Sequence, residues 1–252
     1  MSAGSEPRPA PSIPLSRRLL AEFIGTGLLV AVVVGSGIAA STLSPDDTGL
    51  QLLENSFSTA LGLGVLIAVL APVSGAQLNP VVSIADWFLG RRARGGLGLA
   101  AGDLGPYIAV QVLGAVAGAV LANVMFGVQT SISATERVSA GSLVAEVVAT
   151  AGLIVVIFAL VRTGRTAIVA PAVGAYIGAA YWFTSSTSFA NPAVTVGRIF
   201  SDTFAGISPD SAIGFVLAQL LGAAIGVVIT SLLFPAAVGE ASEERERASA
   251  VG

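Results

Sequence analysis

Of the 252 residues, 54% are hydrophobic and 11% charged, the formal net charge is −3 and the mean hydropathy is +0.86. A soluble domain usually carries about 25% charged residues, so the composition excludes an ordinary soluble fold and points to a polytopic membrane protein. Cysteine and histidine are both absent, which excludes disulfides and thiolate metal sites and removes the commonest general base and metal ligand.

Residues 1–16, with their prolines and serines, are expected to form a disordered tail. They are not a cleavable signal, because the apolar run behind them is long and further spans follow. Runs long and apolar enough to cross a bilayer, about 20 residues each, cover 19–40, 55–72, 104–126, 142–161, 166–183 and 212–234. The stretches 73–90 and 184–207 are too short and too polar to cross, so re-entrant segments are expected there. The charged end, 237–252, is expected to be a second disordered tail. The predicted fold is therefore an all-α membrane protein with six transmembrane helices and two re-entrant half-helices in one domain, 17–236.

The chain contains no lysine, so arginine sets the orientation. Six spans put both termini on one side, together with Arg8, Arg17, Arg18, Arg91, Arg92, Arg94, Arg162, Arg165, Arg245 and Arg247. Only Arg137 and Arg198 fall on the other side, whose first loop carries Asp46 and Asp47. By the positive-inside rule both termini are cytoplasmic and the protein sits in the cell membrane as a multi-pass protein.

Each half carries the same signals in the same order. Glu22, in Leu20-Ala21-Glu22-Phe23-Ile24-Gly25, is matched by Glu146, in Val144-Ala145-Glu146-Val147-Val148-Ala149. Asn79-Pro80-Val81 is matched by Asn191-Pro192-Ala193, and Gln111-Val112-Leu113-Gly114-Ala115 by Gln219-Leu220-Leu221-Gly222-Ala223. Three spans per half is an odd number, so repeat one (about 17–126) and repeat two (about 140–236) must be inverted relative to each other. A site is then expected near the midplane, at the interrupted segments. Proline suits the first turn of a helix and the preceding Asn is a good N-cap. Half-helices starting at Asn79 and Asn191 would thus aim positively biased ends at the membrane centre.

These paired motifs resemble those of the major intrinsic protein family, the aquaporins and aquaglyceroporins, over nearly the whole chain, from about Arg17 to Phe234. The resemblance implies a bundle of six helices and two half-helices, with a pore in each protomer of a homotetramer. It implies that Asn79 and Asn191 donate hydrogen bonds to the permeant, and that Glu22 and Glu146 hold the half-helix loops.

The selectivity filter departs from the water-channel pattern. The residue after Asn191-Pro192-Ala193 is Val194, where water-selective members of the family have arginine. The resemblance puts Thr59 where those members carry a large aromatic, and Ser188 supplies a carbonyl or hydroxyl. Either Ala179 or Tyr181 stands where histidine is usual. Arg198, one turn beyond Val194 on the same helix face, is either a displaced cationic vestibule or a snorkelling arginine paired with Asp202. Asp86, its counterpart in repeat one, marks the cytoplasmic mouth or caps a loop near Arg91.

A filter of Thr59, Ser188, Val194 and Ala179 or Tyr181 is wider and less polar than a water channel's. The expected function is a passive channel for small neutral solutes as well as water: glycerol-like molecules or metalloid hydroxy-acids such as arsenous, antimonous or boric acid. The alternatives are an ordinary water channel and, more remotely, a secondary active transporter, which would need a titrating relay other than the two glutamates. No enzyme activity, cofactor, metal site or nucleic-acid partner is expected. The small residues spaced four apart in the spans, such as Gly114 and Gly118 or Gly222 and Gly226, suit close helix crossings.

Overall fold

The computed structural model describes residues 13–92 and 98–235, except for the side chains of Arg91 and Arg92. The expected tails up to residue 12 and from 236 onward, with Arg8, Arg94, Arg245 and Arg247, lie outside the described residues. The helices are α1 (Leu15–Leu43), α2 (Thr48–Ser74), α3 (Pro80–Arg92), α4 (Ala101–Met125), α5 (Ala140–Arg162), α6 (Val169–Phe183), α7 (Pro192–Arg198) and α8 (Pro209–Leu233). A 3-10 turn, Thr166–Ile168, leads into α6. Among the described residues, six segments (α1, α2, α4, α5, the 3-10 turn with α6, and α8) are long and apolar enough to cross a membrane. The fold is the expected one: six spans and two short helices that do not cross.

Caps explain why several helices outrun the apolar runs. The N–H groups of Arg17 and Arg18 both reach the Pro14 carbonyl, so α1 starts inside the expected tail, at Leu15. The Asp47 carboxylate accepts the Leu50 N–H at 2.9 Å and starts α2 seven residues before the apolar run. Ser208 does the same for α8 through Ser211, at 3.2 Å. Polar first turns are invisible to hydropathy but satisfy N–H groups that have no partner within the helix.

Inverted symmetry governs the packing. Within each repeat the first and last spans cross (α1 on α4, α5 on α8), while α2 packs against α6 at the centre. Each half-helix then packs on the last span of the other repeat, α7 on α4 and α3 on α8. The crossings are tight enough to exclude a side chain. A Cβ at Gly118 would collide with the Gly27 carbonyl, and one at Gly226 would lie 2.7 Å from the Ala151 carbonyl oxygen. Such close backbone approach is how apolar helices gain packing where lipid offers no hydrophobic contrast. The opposite face of α2, Phe57, Leu61, Val65 and Val69, is an exposed apolar stripe at four-residue spacing.

Candidate functional site: a pore between two inward-pointing helix tips

The two Asn-Pro turns meet tip to tip in the middle of the bundle. Asn79 donates through Nδ2 to the Ala190 carbonyl and Asn191 donates through Nδ2 to the Leu78 carbonyl, both at 2.8 Å. Each carboxamide oxygen is taken by its own half-helix: Asn79 Oδ1 accepts the Val81 N–H at 3.0 Å, and Asn191 Oδ1 accepts those of Ala193 and Val194 at 2.9 and 3.2 Å. A carboxamide nitrogen has two hydrogens, so one N–H of each Asn is left over. Pro80 and Pro192 open the half-helices, where their missing N–H groups leave nothing unsatisfied. Val81 and Ala193, the third residues of the two motifs, are fully buried.

The loop ahead of each tip is strained. Ala76 and Leu78 in one repeat, and Ser188 and Ala190 in the other, have φ of 45°, 49°, 51° and 47°. A left-handed non-glycine residue costs about 1–3 kcal/mol and persists only where its surroundings over-determine it. Here a buried glutamate does so. Glu22 accepts from Ser74 Oγ (2.6 Å), the Gln77 and Leu78 N–H groups (3.0 and 2.7 Å) and Gln111 Nε2 (2.8 Å). Glu146 accepts from Ser186 Oγ (2.6 Å), the Phe189 and Ala190 N–H groups (2.9 Å each) and Gln219 Nε2 (2.6 Å). The glutamines pass the network to the half-helices, Gln111 to Ser83 Oγ at 3.0 Å and Gln219 to Thr195 Oγ1 at 2.9 Å. Charge-assisted bonds to a buried carboxylate are strong ones, and four per glutamate satisfy an otherwise costly charge.

A cavity of about 90 Å³ runs past the two tips. One wall is apolar and comes from stripes at four-residue spacing: Leu29 and Val33 of α1, Leu63 and Ile67 of α2, Leu153 and Ile157 of α5, and Val169, Val173 and Ile177 of α6. The loops Gly75–Asn79 and Ser188–Asn191 form the polar wall. Thr59, Tyr181, Ser188 and Val194 all line the cavity, and Arg198 lines it with them. Tyr181 continues the α6 stripe one turn past Ile177 and shares a 3.2 Å hydrogen bond with Thr59 Oγ1. Ala179, the other candidate for that position, points off the stripe and is exposed. The Ser188 hydroxyl is buried without a protein partner.

A membrane fold with inverted repeats and a cavity of mixed polar and apolar lining narrows the choice of family, and sequence decides it. The family model for major intrinsic proteins matches residues 10–185. The chain is 46% identical to aquaglyceroporin AqpS of Rhizobium meliloti, over 88% of this chain and 92% of that one. The chain belongs to the major intrinsic protein family. A glycerol uptake facilitator of Pseudomonas aeruginosa is 32% identical, over 95% of this chain and 99% of its own. The X-ray structure of the aquaglyceroporin from Plasmodium falciparum superposes with a TM-score of 0.67 at 22% identity, over 88% of this chain and 98% of that one, a likeness of fold. Members of the major intrinsic protein family are passive channels and not enzymes.

Within this major intrinsic protein, the arginines at the far mouth are held in a way the sequence did not show. Arg198 is 3% exposed. Its Nε donates to the Ala205 carbonyl and its guanidinium carbon lies 3.4 Å from the centroid of the Phe189 ring. Asp202, offered above as its partner, instead accepts from Ser133 Oγ and the Ala134 N–H at 3.2 and 3.1 Å. The segment after α4 folds back over the end of α7, pinned by Ser133 N–H to the Ile199 carbonyl and Ser208 N–H to the Thr135 carbonyl, each 2.8 Å. This brings Arg137 over the same Phe189 ring, 5.5 Å from its centroid. Removal from water pulls the Arg137 guanidinium below its ordinary pKa, an effect that nearby Tyr181 partly offsets. At the termini side, Asp86 accepts from the Leu99 N–H (2.8 Å) and Gln77 Nε2 (2.9 Å), which makes it a loop cap.

Sequence reasoning missed Arg137, Phe189 and the bonding roles of Gln111 and Gln219. The glutamines had been visible as a repeated Gln-x-x-Gly-Ala signal without a partner. Arg137 lies in a loop far from Arg198 in sequence, and nothing local announces their meeting.

Proposed function

We propose that this protein is a passive transmembrane channel for small uncharged solutes bulkier than water, glycerol-like polyols or undissociated metalloid hydroxy-acids, with water passing as well. The observation that carries the reading is the residue after the second Asn-Pro-Ala: Val194 stands on the cavity wall where a water-selective filter would place a guanidinium. Selectivity in such pores follows diameter and the hydrogen bonds on offer. The spare hydroxyl of Ser188 and the spare N–H groups of Asn79 and Asn191 suit solutes that carry several hydroxyls on an apolar frame, which the opposite wall accommodates. The names of two relatives, an aquaglyceroporin and a glycerol uptake facilitator, support the same class. In this reading Thr59, Tyr181, Ser188 and Val194 are the filter, Arg198 is a cationic vestibule, and Glu22 and Glu146 are structural. The termini are cytoplasmic, and the protomers assemble as homotetramers, for which the exposed α2 stripe offers an apolar face.

A second reading, a water channel, is favoured by one observation: Thr59 and Tyr181 share a hydrogen bond, which would narrow a filter built from them. Coupled transport is the weaker alternative, since each buried glutamate already accepts four hydrogen bonds from loop and helix donors. Stopped-flow swelling of proteoliposomes in gradients of sorbitol, glycerol and arsenous acid separates these readings. Glycerol or arsenous acid entry above empty liposomes supports the wide channel, and water flux alone supports the narrow one. Uphill accumulation under an ion gradient would revive the transporter.

A further inference from the structure

We propose that Arg137 and Arg198 act as a pair, the fixed positive charge that this pore sets against cations in place of an arginine at position 194. The inference rests on the channel reading and assigns a charge-selectivity role to a loop residue outside the filter.

Three consecutive carbonyls clamp the two guanidinia. Arg137 Nη2 donates to Phe204 at 2.7 Å, Arg198 Nε to Ala205, and Arg137 Nε to Gly206 at 2.5 Å. Both cations lie over the Phe189 ring, at 5.5 and 3.4 Å from its centroid. The Arg137 backbone is fixed on either side: its N–H donates to Ser211 Oγ at 2.9 Å, and its carbonyl accepts from Ser142 Oγ at 2.8 Å. Among the described residues, every hydrogen bond that holds the two guanidinia goes to a neutral group.

No carboxylate neutralises them among the described residues, where the one ion pair joins Arg18 to Asp103 at 2.9 Å. The acids in the neighbourhood are engaged elsewhere: Glu136 with Ser211 Oγ, Asp202 with Ser133 and Ala134, Glu146 with its loop. An unpaired charge with so little water around it is costly, and the field of the pair is what it supplies in return. Arg198, nine-tenths and more buried, lines the cavity with its two amino groups free of protein acceptors among the described residues. Arg137 lies over the same Phe189 ring, outside the cavity lining. A narrow neck with low-dielectric walls focuses such a field. A cation entering there meets both charges, whereas a neutral hydroxylated solute meets spare donors.

The test uses the full chain in liposomes, with potassium and proton leak measured beside glycerol and water flux. The set is wild type, Arg137→Ala, Arg137→Lys, and Arg137→Ala combined with Arg198→Ala. We expect Arg137→Ala to keep its neutral-solute flux while cation leak rises on the order of tenfold, and the double variant to leak on the order of a hundredfold. Arg137→Lys, which keeps the charge and loses the fork of donors, is expected to stay as tight as wild type. A double variant that still passes glycerol or water yet leaks no more than wild type overturns the pair. So does an Arg137→Lys variant as leaky as Arg137→Ala, which would make the residue a packing element. A wild type that passes water and no glycerol defeats only the wide-solute reading, since leak measured against water flux still decides the pair.

Discussion

In repeat one the turn ahead of the pore asparagine begins at Gly75, with φ of 88°; in repeat two the matching residue is Thr187, at 60°. The next positions agree in conformation and in partners, down to the serine, the two loop N–H groups and the glutamine on each carboxylate. Beyond the asparagines the repeats part again. The half-helix α3 has 13 residues and α7 has 7. Ala85 of α3 faces an apolar groove of about 410 Å³ against α8, while its counterpart Gly197 lies so close to α4 that a Cβ would be 2.7 Å from the Ala115 carbonyl oxygen. Asp86 caps a loop where Arg198 faces the cavity. What the repeats share builds the centre of the pore, and what distinguishes them sits at its two ends. The central geometry needs two equal and opposite tips, whereas the two ends are free to differ, one with the loop cap Asp86 and the other with Arg198.

The largest effect should come from the shared part. Glu146→Ala and Glu22→Ala each leave four donors without an acceptor and release two left-handed residues, at a cost of about 3 kcal/mol or more. Thermal unfolding in detergent should show both variants lowered by similar amounts, and a variant as stable as wild type would mean that its loop is held by something else. Next comes the proposed filter. Val194→Arg should cut glycerol flux about tenfold, the effect of roughly 1.4 kcal/mol on a barrier, while water flux falls much less. Equal losses of both would show that Val194 does not set solute size.

The differences between the repeats are sharpened by two smaller changes. Gly197→Ala should destabilise by about 1–3 kcal/mol, because the new methyl is forced into α4; denaturation that matches wild type would show that α7 can slide away as α3 has done. Thr187→Gly should stabilise by about 1 kcal/mol or less, by removing a strained β-branched residue at the cost of added chain freedom. If it destabilises instead, the Thr187 side chain contributes a contact that Gly75 lacks.

Much of the fold was legible because a bilayer leaves few choices. Six long apolar runs must be helices, since every backbone group needs an internal partner, and an odd number of spans per repeat forces inversion. The Asn-Pro pairs announce helix starts in the middle of apolar sequence, and Glu22 and Glu146 stand out as charges with no business in a span unless bonded. Helix limits were less legible, because the caps at Asp47 and Ser208 are polar and a hydropathy reading stops short of them.

The sequence by itself determined the number of spans, their inverted pairing and the residues at the two tips, because periodicity, span length and repeated motifs are properties of the chain in one dimension. Only the tertiary structure decided that Tyr181 and not Ala179 faces the cavity, that Arg198 bonds the Ala205 carbonyl while Asp202 bonds Ser133 and Ala134, and that Arg137 joins Arg198 over Phe189. Those depend on which way a helix is rotated and where a long loop comes to rest, and such choices are made by packing between residues far apart in the chain.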